Sequence, residues 1–270
     1  MNKILRGVIK YNKNVADRVK FVSDMEKVTK QLVQPKSVFV SCMDCRVLPS
    51  KFVSSKIGEI YFLRNAGNMV PHYDAYIAGS ISSEGGGLEL GCITNKIRNV
   101  VVCGHSDCKA AYALFDIRNK CDHTHYLHNS PLRTWVALHG VRTVDKFSQL
   151  YPDNVEHPEV FDSTEPMVFP VNLGGQDIDA IIDPENKFCI QDKFSQLHCL
   201  EQASHVKTYP MLREHLISGD LHIHAMWFDV YTGNVYMFSP SRRTFILVDD
   251  NSIETLLQDA AEYGTQAADD

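Results

Sequence analysis

Short apolar runs alternate with helix-like segments from residue 36 onward, and this alternation constrains the fold of the 270-residue chain more than any other feature. Residues 37–42, 59–63 and 99–103 are rich in the residue types that favour β-strands. The third run is apolar almost throughout, which is typical of a central parallel strand covered on both faces. The sequence therefore predicts an α/β fold with a mostly parallel central β-sheet flanked by helices.

Helices are predicted between and after these strands. Serines and glycines precede a helical segment at 88–97, and an alanine-rich helix follows His105. A longer helix is expected over about 196–216, with a break near Pro210. The tripeptide Thr-Gly-Asn at 232–234 separates two β-rich segments, so an antiparallel hairpin is expected at the edge of the sheet.

The domain organisation predicted from the sequence is simple. We expect residues 1–270 to form a single domain, which is within the usual size range for one α/β domain. An N-terminal helical arm is expected over about 1–35. The stretch at about 119–190 contains many prolines and is expected to be an irregular insertion.

Composition and charge exclude several classes of function. Lys and Arg number 27 against 33 Asp and Glu, for a net charge of −6, which argues against nucleic acid as a partner. No apolar run reaches the roughly 18 residues of a membrane span. The 8 cysteines are too few for a disulfide scaffold and predict reduced thiols inside the cell. A cytoplasmic location is expected, with a mitochondrial one as the alternative because the first thirty residues are basic.

Two of the predicted strands end in residues that packing does not require. The first is followed by CMDCR at 42–46, and the third by HSDC at 105–108. Ligands in open α/β sheets bind beyond the carboxyl ends of strands, so the two sets are expected to meet. His105 and Cys108 have the spacing of zinc ligands, and Cys42 would supply the third bond. Three protein ligands leave one position for water, the catalytic arrangement, so one Zn²⁺ per chain is expected.

Asp44 and Arg46 are expected to lie beside this metal. Side chains alternate along an extended chain, which places them on the same side as Cys42. The Asp44 carboxylate could accept a hydrogen bond from the water or become a fourth ligand and close the site. Arg46 would decide between these roles, because its planar guanidinium can hold a carboxylate through two parallel bonds.

A second interpretation uses Cys45. Cys42 and Cys45 form a Cys-x-x-Cys pair, which is found in thiol redox proteins. Together with His105 and Cys108, the pair could also form a closed, non-catalytic structural zinc site. The catalytic interpretation is favoured because neither alternative explains all the polar residues at the two strand ends.

The order and spacing of five motifs resemble the β-class carbonic anhydrases. The motifs are SCMDCRV at 41–47, GE at 58–59, RNAGN at 64–68, LEL at 88–90 and CGHSDC at 103–108. A second, weaker similarity runs from about 195 to 238. The sequences at 104–110 and 221–229 look most like the animal members of the family.

The resemblance implies an activity and an assembly. The activity is the zinc-dependent, reversible hydration of carbon dioxide to bicarbonate and a proton. The assembly is an obligate homodimer, in some members a dimer of dimers, whose active-site cleft uses residues of both chains. By position, the zinc ligands match Cys42, His105 and Cys108, and the catalytic pair matches Asp44 and Arg46.

The resemblance also implies a substrate pocket. Tyr61, Ala66 and Leu90 fall where family members form an apolar wall, which suits a small neutral substrate. Lys109 stands where many members have a glycine whose N–H faces bicarbonate. The N–H is kept in this chain, so activity is still expected, although the local turn is expected to differ.

Overall fold

The computed structural model describes residues 1–118, 129–150, 166–173 and 175–262. The strands are β1 (Ser37–Cys42), β2 (Ile60–Asn65), β3 (Asn99–His105), β4 (Met167–Leu173), β5 (Gln176–Ile182), β6 (His222–Phe228), β7 (Val235–Ser239) and β8 (Thr244–Leu247). Six of them form one sheet in the order β2-β1-β3-β6-β7-β8. The first four of these run parallel, and β7 and β8 add an antiparallel edge. Strands β4 and β5 form a separate antiparallel pair.

Helices surround this sheet. They are α1 (Asn2–Lys13), α2 (Val15–Thr29), α3 (Pro49–Phe52), α4 (Tyr73–Ile77), α5 (Ser83–Leu88), α6 (Lys109–Ile117), α7 (Pro131–Leu150), α8 (Ile190–Val206), α9 (Arg213–Ile217) and α10 (Ile253–Glu262). A π-helical segment, Glu89–Thr94, continues α5, and a 3₁₀ turn, Pro210–Leu212, precedes α9. Among the described helices, none is both long enough and apolar enough to span a bilayer.

The centre of the molecule lies between the sheet and α8. Val40 of β1 and Val102 of β3 are completely buried, as expected for central parallel strands. Helix α8 packs on β3 and β6 and also contacts α6, α7 and the β4–β5 pair. It is therefore buried from Asp192 to Val206, including its polar residues. Those polar side chains need hydrogen-bonding partners inside the protein.

The structure confirms the predicted α/β fold and the hairpin formed by β6 and β7. The helix expected at 88–97 begins earlier, at Ser83, because the Ser82 hydroxyl accepts a hydrogen bond from the Gly85 N–H. Glycines are tolerated inside this helix partly because it packs closely on β2: a Cβ on Gly87 would lie 2.6 Å from Leu63 Cδ2. The helix expected at 196–216 is divided into α8, the 3₁₀ turn and α9.

The stretch at about 119–190, predicted to be irregular, contains regular elements in the residues that the structure describes. Helix α7 has 20 residues, and β4 and β5 form a regular ladder. The buried side of α7 contains Val136, His139, Gly140, Thr143 and Phe147, which have helical spacing. Only two of these are apolar, so the hydrophobic pattern did not reveal the full length of the helix. Residues 119–128, 151–165 and 174 lie outside the described part.

The N-terminal arm is helical, as predicted. Helices α1 and α2 contain no buried residue, although several of their side chains are large and apolar. The end of α2 reaches the body of the protein at Val28, whose side chain packs against the backbone of Gly58. The arm therefore presents an uncovered apolar surface in the single chain.

Candidate metal centre

Two parallel strands and one helix start bring together Cys42, His105 and Cys108. Cys42 is the last residue of β1, His105 the last of β3, and Cys108 the residue before α6. The register of β1 with β3 pairs Ser41 with Cys103, so both strands end at the same edge. The ligating atoms of the three residues all lie within 4.8 Å of one another, and all three residues are buried.

The donor atoms of this cluster have the chemistry that zinc requires. Nδ1 of His105 lies 2.7 Å from the Ser106 carbonyl oxygen, which can only accept, so Nδ1 carries the hydrogen. Nε2 is then the lone-pair nitrogen; it is buried and has no hydrogen-bond partner among the described residues. The sulfurs of Cys42 and Cys108 are 4.0 Å apart. Two sulfurs and one free imidazole nitrogen fit a tetrahedral zinc site with one open position.

The two thiols influence one another because they are close and buried. The hydrogen bond from Cys108 lowers the pKa of the Cys42 thiol to about 4. The pKa of Cys108 is raised, because its proton is held by Cys42 and because burial opposes a second negative charge. Without a cation the pair therefore holds one proton, and a divalent cation would release it.

Hydrogen bonds from backbone and side-chain groups of the surrounding protein hold the ligand residues in place. The Gly67 N–H donates to Cys42 Sγ at 3.5 Å. The hydroxyl of Ser195 lies 3.1 Å from the His105 carbonyl oxygen and 2.9 Å from the Asp192 carbonyl oxygen, so its one hydrogen is shared between these acceptors. Trp227 donates to the same hydroxyl at 2.8 Å. Such contacts orient metal ligands before the metal arrives.

Arg64 shapes the loop that follows β1. Its guanidinium donates to the carbonyl oxygens of Cys42 at 3.0 Å, Asp44 at 2.8 Å and Val47 at 2.7 Å. One side chain thus holds three backbone carbonyls on the side of the loop that faces β2. No role for Arg64 was predicted from the sequence, although it belongs to the RNAGN motif at 64–68.

Asp44 and Arg46 form the predicted pair. Nε and Nη2 of Arg46 lie 3.0 and 2.7 Å from the two carboxylate oxygens of Asp44. These hydrogen bonds hold the pKa of the Asp44 carboxyl well below its usual range, although partial burial opposes the shift. Asp107, which the sequence interpretation did not use, accepts from Nη1 of Arg46 at 2.7 Å. Arg46 is therefore held by two carboxylates.

Cys45 is not part of the cluster. It is exposed, and it is absent from the group of ligating atoms that contains Cys42. Asp44 is also absent from that group, and both its oxygens are engaged by Arg46. The structural-zinc and redox alternatives both require the Cys45 sulfur beside Cys42, so this geometry does not favour them.

The four predicted pocket residues are spread over the molecule. Ala66 follows β2 and is half-buried, and Lys109 is an exposed residue at the start of α6. Leu90 lies in the π-helical segment and is 52% exposed. Tyr61 pairs with Val38, four positions before Cys42, which is about 13 Å along the strand. The backbone of Tyr61 thus lies several residues along the strand from the cluster of its own chain.

Comparisons with known sequences agree with this geometry. The chain matches the carbonic anhydrase family model over residues 37–235. Beta carbonic anhydrase 1 of Caenorhabditis briggsae is 36% identical over 259 residues, which cover 95% of this chain and 91% of that protein. Beta carbonic anhydrase 1 of Caenorhabditis elegans is 36% identical over 260 residues, covering 95% and 92%.

Solved structures show the same fold. The β-carbonic anhydrase CcaA has a TM-score of 0.66 at 21% identity, covering 93% of this chain and 94% of that one. A β-carbonic anhydrase of Sordaria macrospora has a TM-score of 0.58 at 16% identity, covering 88% and 97%. Since the family model and the Caenorhabditis relatives each cover most of the chain, it belongs to the β-carbonic anhydrases, zinc enzymes that reversibly hydrate carbon dioxide to bicarbonate and a proton.

Proposed function

We propose that the chain performs this reaction at a zinc ion held by Cys42, His105 and Cys108. The observation that carries the assignment is the buried cluster itself, whose ligating atoms lie within 4.8 Å of one another and include an imidazole nitrogen without a partner. When bound in such a site, zinc supplies an activated water as the nucleophile. The protein has to position that water, keep one coordination position open and admit carbon dioxide.

Asp44 and Arg46 are suited to the first two tasks. Arg46 holds both oxygens of Asp44, so the carboxylate stays ionised and is restrained from becoming a fourth metal ligand. An ionised carboxylate beside the open position accepts a hydrogen bond from the attacking water and orients it. Asp107 adds a second anchor to Arg46 and so restrains the whole pair.

The apolar wall of the pocket is proposed to come from two chains. Tyr61 is too far along β2 from its own Cys42 to line the same site, and Leu90 is half exposed. The positions of Tyr61 and Leu90 are explained if their side chains face the metal centre of a second copy of the chain. A wall of this kind suits carbon dioxide, which is neutral and needs no charged clamp, and it excludes water from around the nucleophile.

The N-terminal arm supports a homodimer. Ile4, Leu5, Val8 and Ile9 lie on one face of α1, and each is at least half exposed. An apolar stripe of this size on a helix is usually covered, and no part of the described chain covers it. We assign it to the surface of a second copy, which buries the stripe and brings the shared pocket together.

Light scattering tests the assembly. The wild type is expected at about twice the 30.5 kDa chain mass, or at a larger multiple if dimers pair. Leu5→Glu with Val8→Glu should shift the mass towards one chain, whereas Lys3→Glu, also on α1 but at a polar position, should not. A wild-type protein that has the mass of one chain at micromolar concentration would contradict the proposal of a pocket shared by two chains.

Metal removal tests the reaction. Stopped-flow hydration of carbon dioxide should be lost after chelation and restored by about one equivalent of zinc per chain. Cys45→Ser is the matched control, since it changes a neighbouring thiol outside the cluster, and it should retain both zinc and activity. Activity that persists in a metal-free protein would refute the assignment, and so would a metal content that depends on Cys45.

An intracellular location is also proposed. It rests on the described cysteines, all of which are free, and on the need of Cys42 and Cys108 to remain reduced in order to bind metal. Imaging of the tagged protein in its own cells tests this, and recovery of the protein from the extracellular medium would contradict it.

A further inference from the structure

A hydrogen bond from helix α7 reaches a peptide group that contacts the metal centre. The indole N–H of Trp135 donates to the Ala66 carbonyl oxygen at 2.9 Å. That carbonyl belongs to the peptide whose N–H is on Gly67, and this N–H donates to Cys42 Sγ at 3.5 Å. One amide therefore receives a hydrogen bond at its oxygen from α7 and gives one at its nitrogen to the sulfur.

Hydrogen bonds that share an amide strengthen one another. A donor at the oxygen polarises the amide and makes its N–H a better donor, by about 10–30% per bond in condensed-phase estimates. The Gly67 N–H and Cys42 Sγ are both buried, so water does not screen this effect. Trp135 is thus coupled electrostatically to the sulfur without touching it.

The turn that contains this amide is held by further contacts with α7 and α8. Nε2 of His198 donates to the Gly67 carbonyl oxygen at 3.0 Å, because a carbonyl can only accept. The other ring nitrogen lies 3.1 Å from the Thr143 hydroxyl, and both side chains are completely buried. Gly67 itself has φ +86°, and a Cβ there would lie 3.1 Å from the Ala110 Cβ. Hydrogen bonds to the carbonyl groups of Ala66 and Gly67 therefore restrain the orientation of the Gly67 N–H.

We propose that Trp135 is a positioning residue of the metal centre, whose indole N–H orients and polarises the Ala66–Gly67 peptide so that this peptide stabilises negative charge on the Cys42 sulfur. The proposal rests on the ligand set assigned above. It gives a function to a helix within the stretch at about 119–190. A purely structural role is the competing explanation, since Trp135 also packs on His139 with ring centroids 4.4 Å apart.

Cobalt-substituted protein distinguishes the two roles. Co²⁺ bound to thiolates gives a sulfur-to-metal charge-transfer band whose energy depends on hydrogen bonding to the sulfur. Trp135→Phe keeps an aromatic ring and removes the N–H donor together with the second ring, and loss of the donor should move the band to longer wavelength. Metal loss to a chelator should accelerate by about tenfold, the lower end of the effect of removing a supporting contact from a metal ligand.

Val136→Ala is the matched control. Val136 is on the same helix, is completely buried and has no polar side-chain atom, so its truncation weakens packing alone. It should lower the unfolding temperature without moving the band. A band in Trp135→Phe at the wild-type wavelength, or an equal shift in both variants, would overturn the proposal.

The cobalt experiment also distinguishes a wrong ligand set from a wrong role for Trp135. A wild-type protein that takes up no cobalt refutes the ligand set and the proposed function, whereas a normal band that Trp135→Phe leaves in place refutes only the role of Trp135. If Trp135→Phe does not fold, 3-benzothienylalanine at position 135 replaces the indole N–H by sulfur and keeps the bicyclic ring. The same shift is then expected, and its absence refutes the proposal.

Discussion

The two sides of the metal centre are built in different ways. On the inner side, Cys42, His105 and Cys108 are all less than 5% exposed and are held by backbone groups and buried side chains. On the outer side, Arg46 and Lys109 are 40% and 72% exposed and are held by ion pairs with carboxylates. The inner side is fixed by packing, whereas the outer side is fixed by charge.

This difference indicates a division of tasks. Hydrogen bonds in a buried site are strong, and the loss of one leaves a polar group without water to replace the partner. Changes on the inner side should therefore affect metal binding and stability together. Exposed ion pairs contribute little to stability, so changes on the outer side should affect turnover alone. Variants on the two sides of the centre test this division.

Cys42→Ser should have the largest effect. A serine hydroxyl is a harder and weaker zinc ligand than a thiolate, so zinc per chain should fall from about one to near zero. Hydration of carbon dioxide should fall to the uncatalysed rate. Metal analysis and stopped-flow kinetics measure both. A variant that keeps zinc and activity would show that the inner side does not hold the metal.

Asp44→Asn should abolish most of the activity and leave the metal in place. The amide of Asn keeps the size of the side chain but carries no negative charge to accept the hydrogen bond from the water. The loss of a positioned acid–base group lowers the rate by about 100-fold or more. Zinc content and unfolding temperature should stay close to wild type. Loss of zinc in this variant would contradict the division, because Asp44 would then belong to the inner side.

The candidate metal centre could be predicted from the sequence because its residues lie close together in the sequence at two strand ends. Because β1 and β3 are buried strands, they appear in the sequence as apolar runs. Parallel pairing then brings the ends of such strands together. Cys42, His105 and Cys108 follow directly from this, and so does the pair of Asp44 and Arg46. Local sequence and one topological rule were sufficient.

The supporting contacts could not be predicted, since they connect distant residues through the backbone. Trp135 and His198 contact carbonyl groups, and every residue has a carbonyl group, so no side-chain pattern marks these partners. The buried side of α7 includes His139 and Thr143, which read as surface residues in a hydrophobicity pattern. The pairing of Asp107 with Arg46 likewise depends on the turn after β3.

Lys146 and Glu201 extend the comparison to a buried ion pair. Their charged atoms are 2.7 Å apart, and the side chains are 26% and 6% exposed. Burial alone would raise the pKa of Glu201, but His205 and Lys146 outweigh it and lower it to about 2. Lys146→Met leaves a poorly compensated charge in the interior and should reduce the free energy of unfolding by about 2 kcal/mol at neutral pH, less than for a completely buried pair.

The stabilisation by Glu201 depends on pH and decreases as the pH falls. Glu201 has a lower pKa in the folded state than in the unfolded state, so its stabilisation is complete above about pH 4.5 and is lost as the pH falls towards about 2. Lys146→Met raises the folded pKa and should move acid unfolding to higher pH. Lys27→Met, which removes the exposed partner of Asp24, is the control and should not move it. Urea unfolding measured from pH 7 to pH 3 checks both, and equal curves for the two variants would contradict the prediction.

The smallest effect is expected at Lys109, the exposed counterpart of Lys146. Its ammonium pairs with Asp107, which also holds Arg46, so Lys109→Ala leaves Asp107 to act on Arg46 alone. Because Lys109 is largely in solvent, the unfolding temperature should not change, and any change in hydration rate should disappear in about 1 M salt, where charges are screened within about 3 Å. Lys109→Arg keeps the charge and should match wild type throughout. A loss of zinc or stability in Lys109→Ala would show that exposed charge also supports the metal, and the two sides would then not be independent.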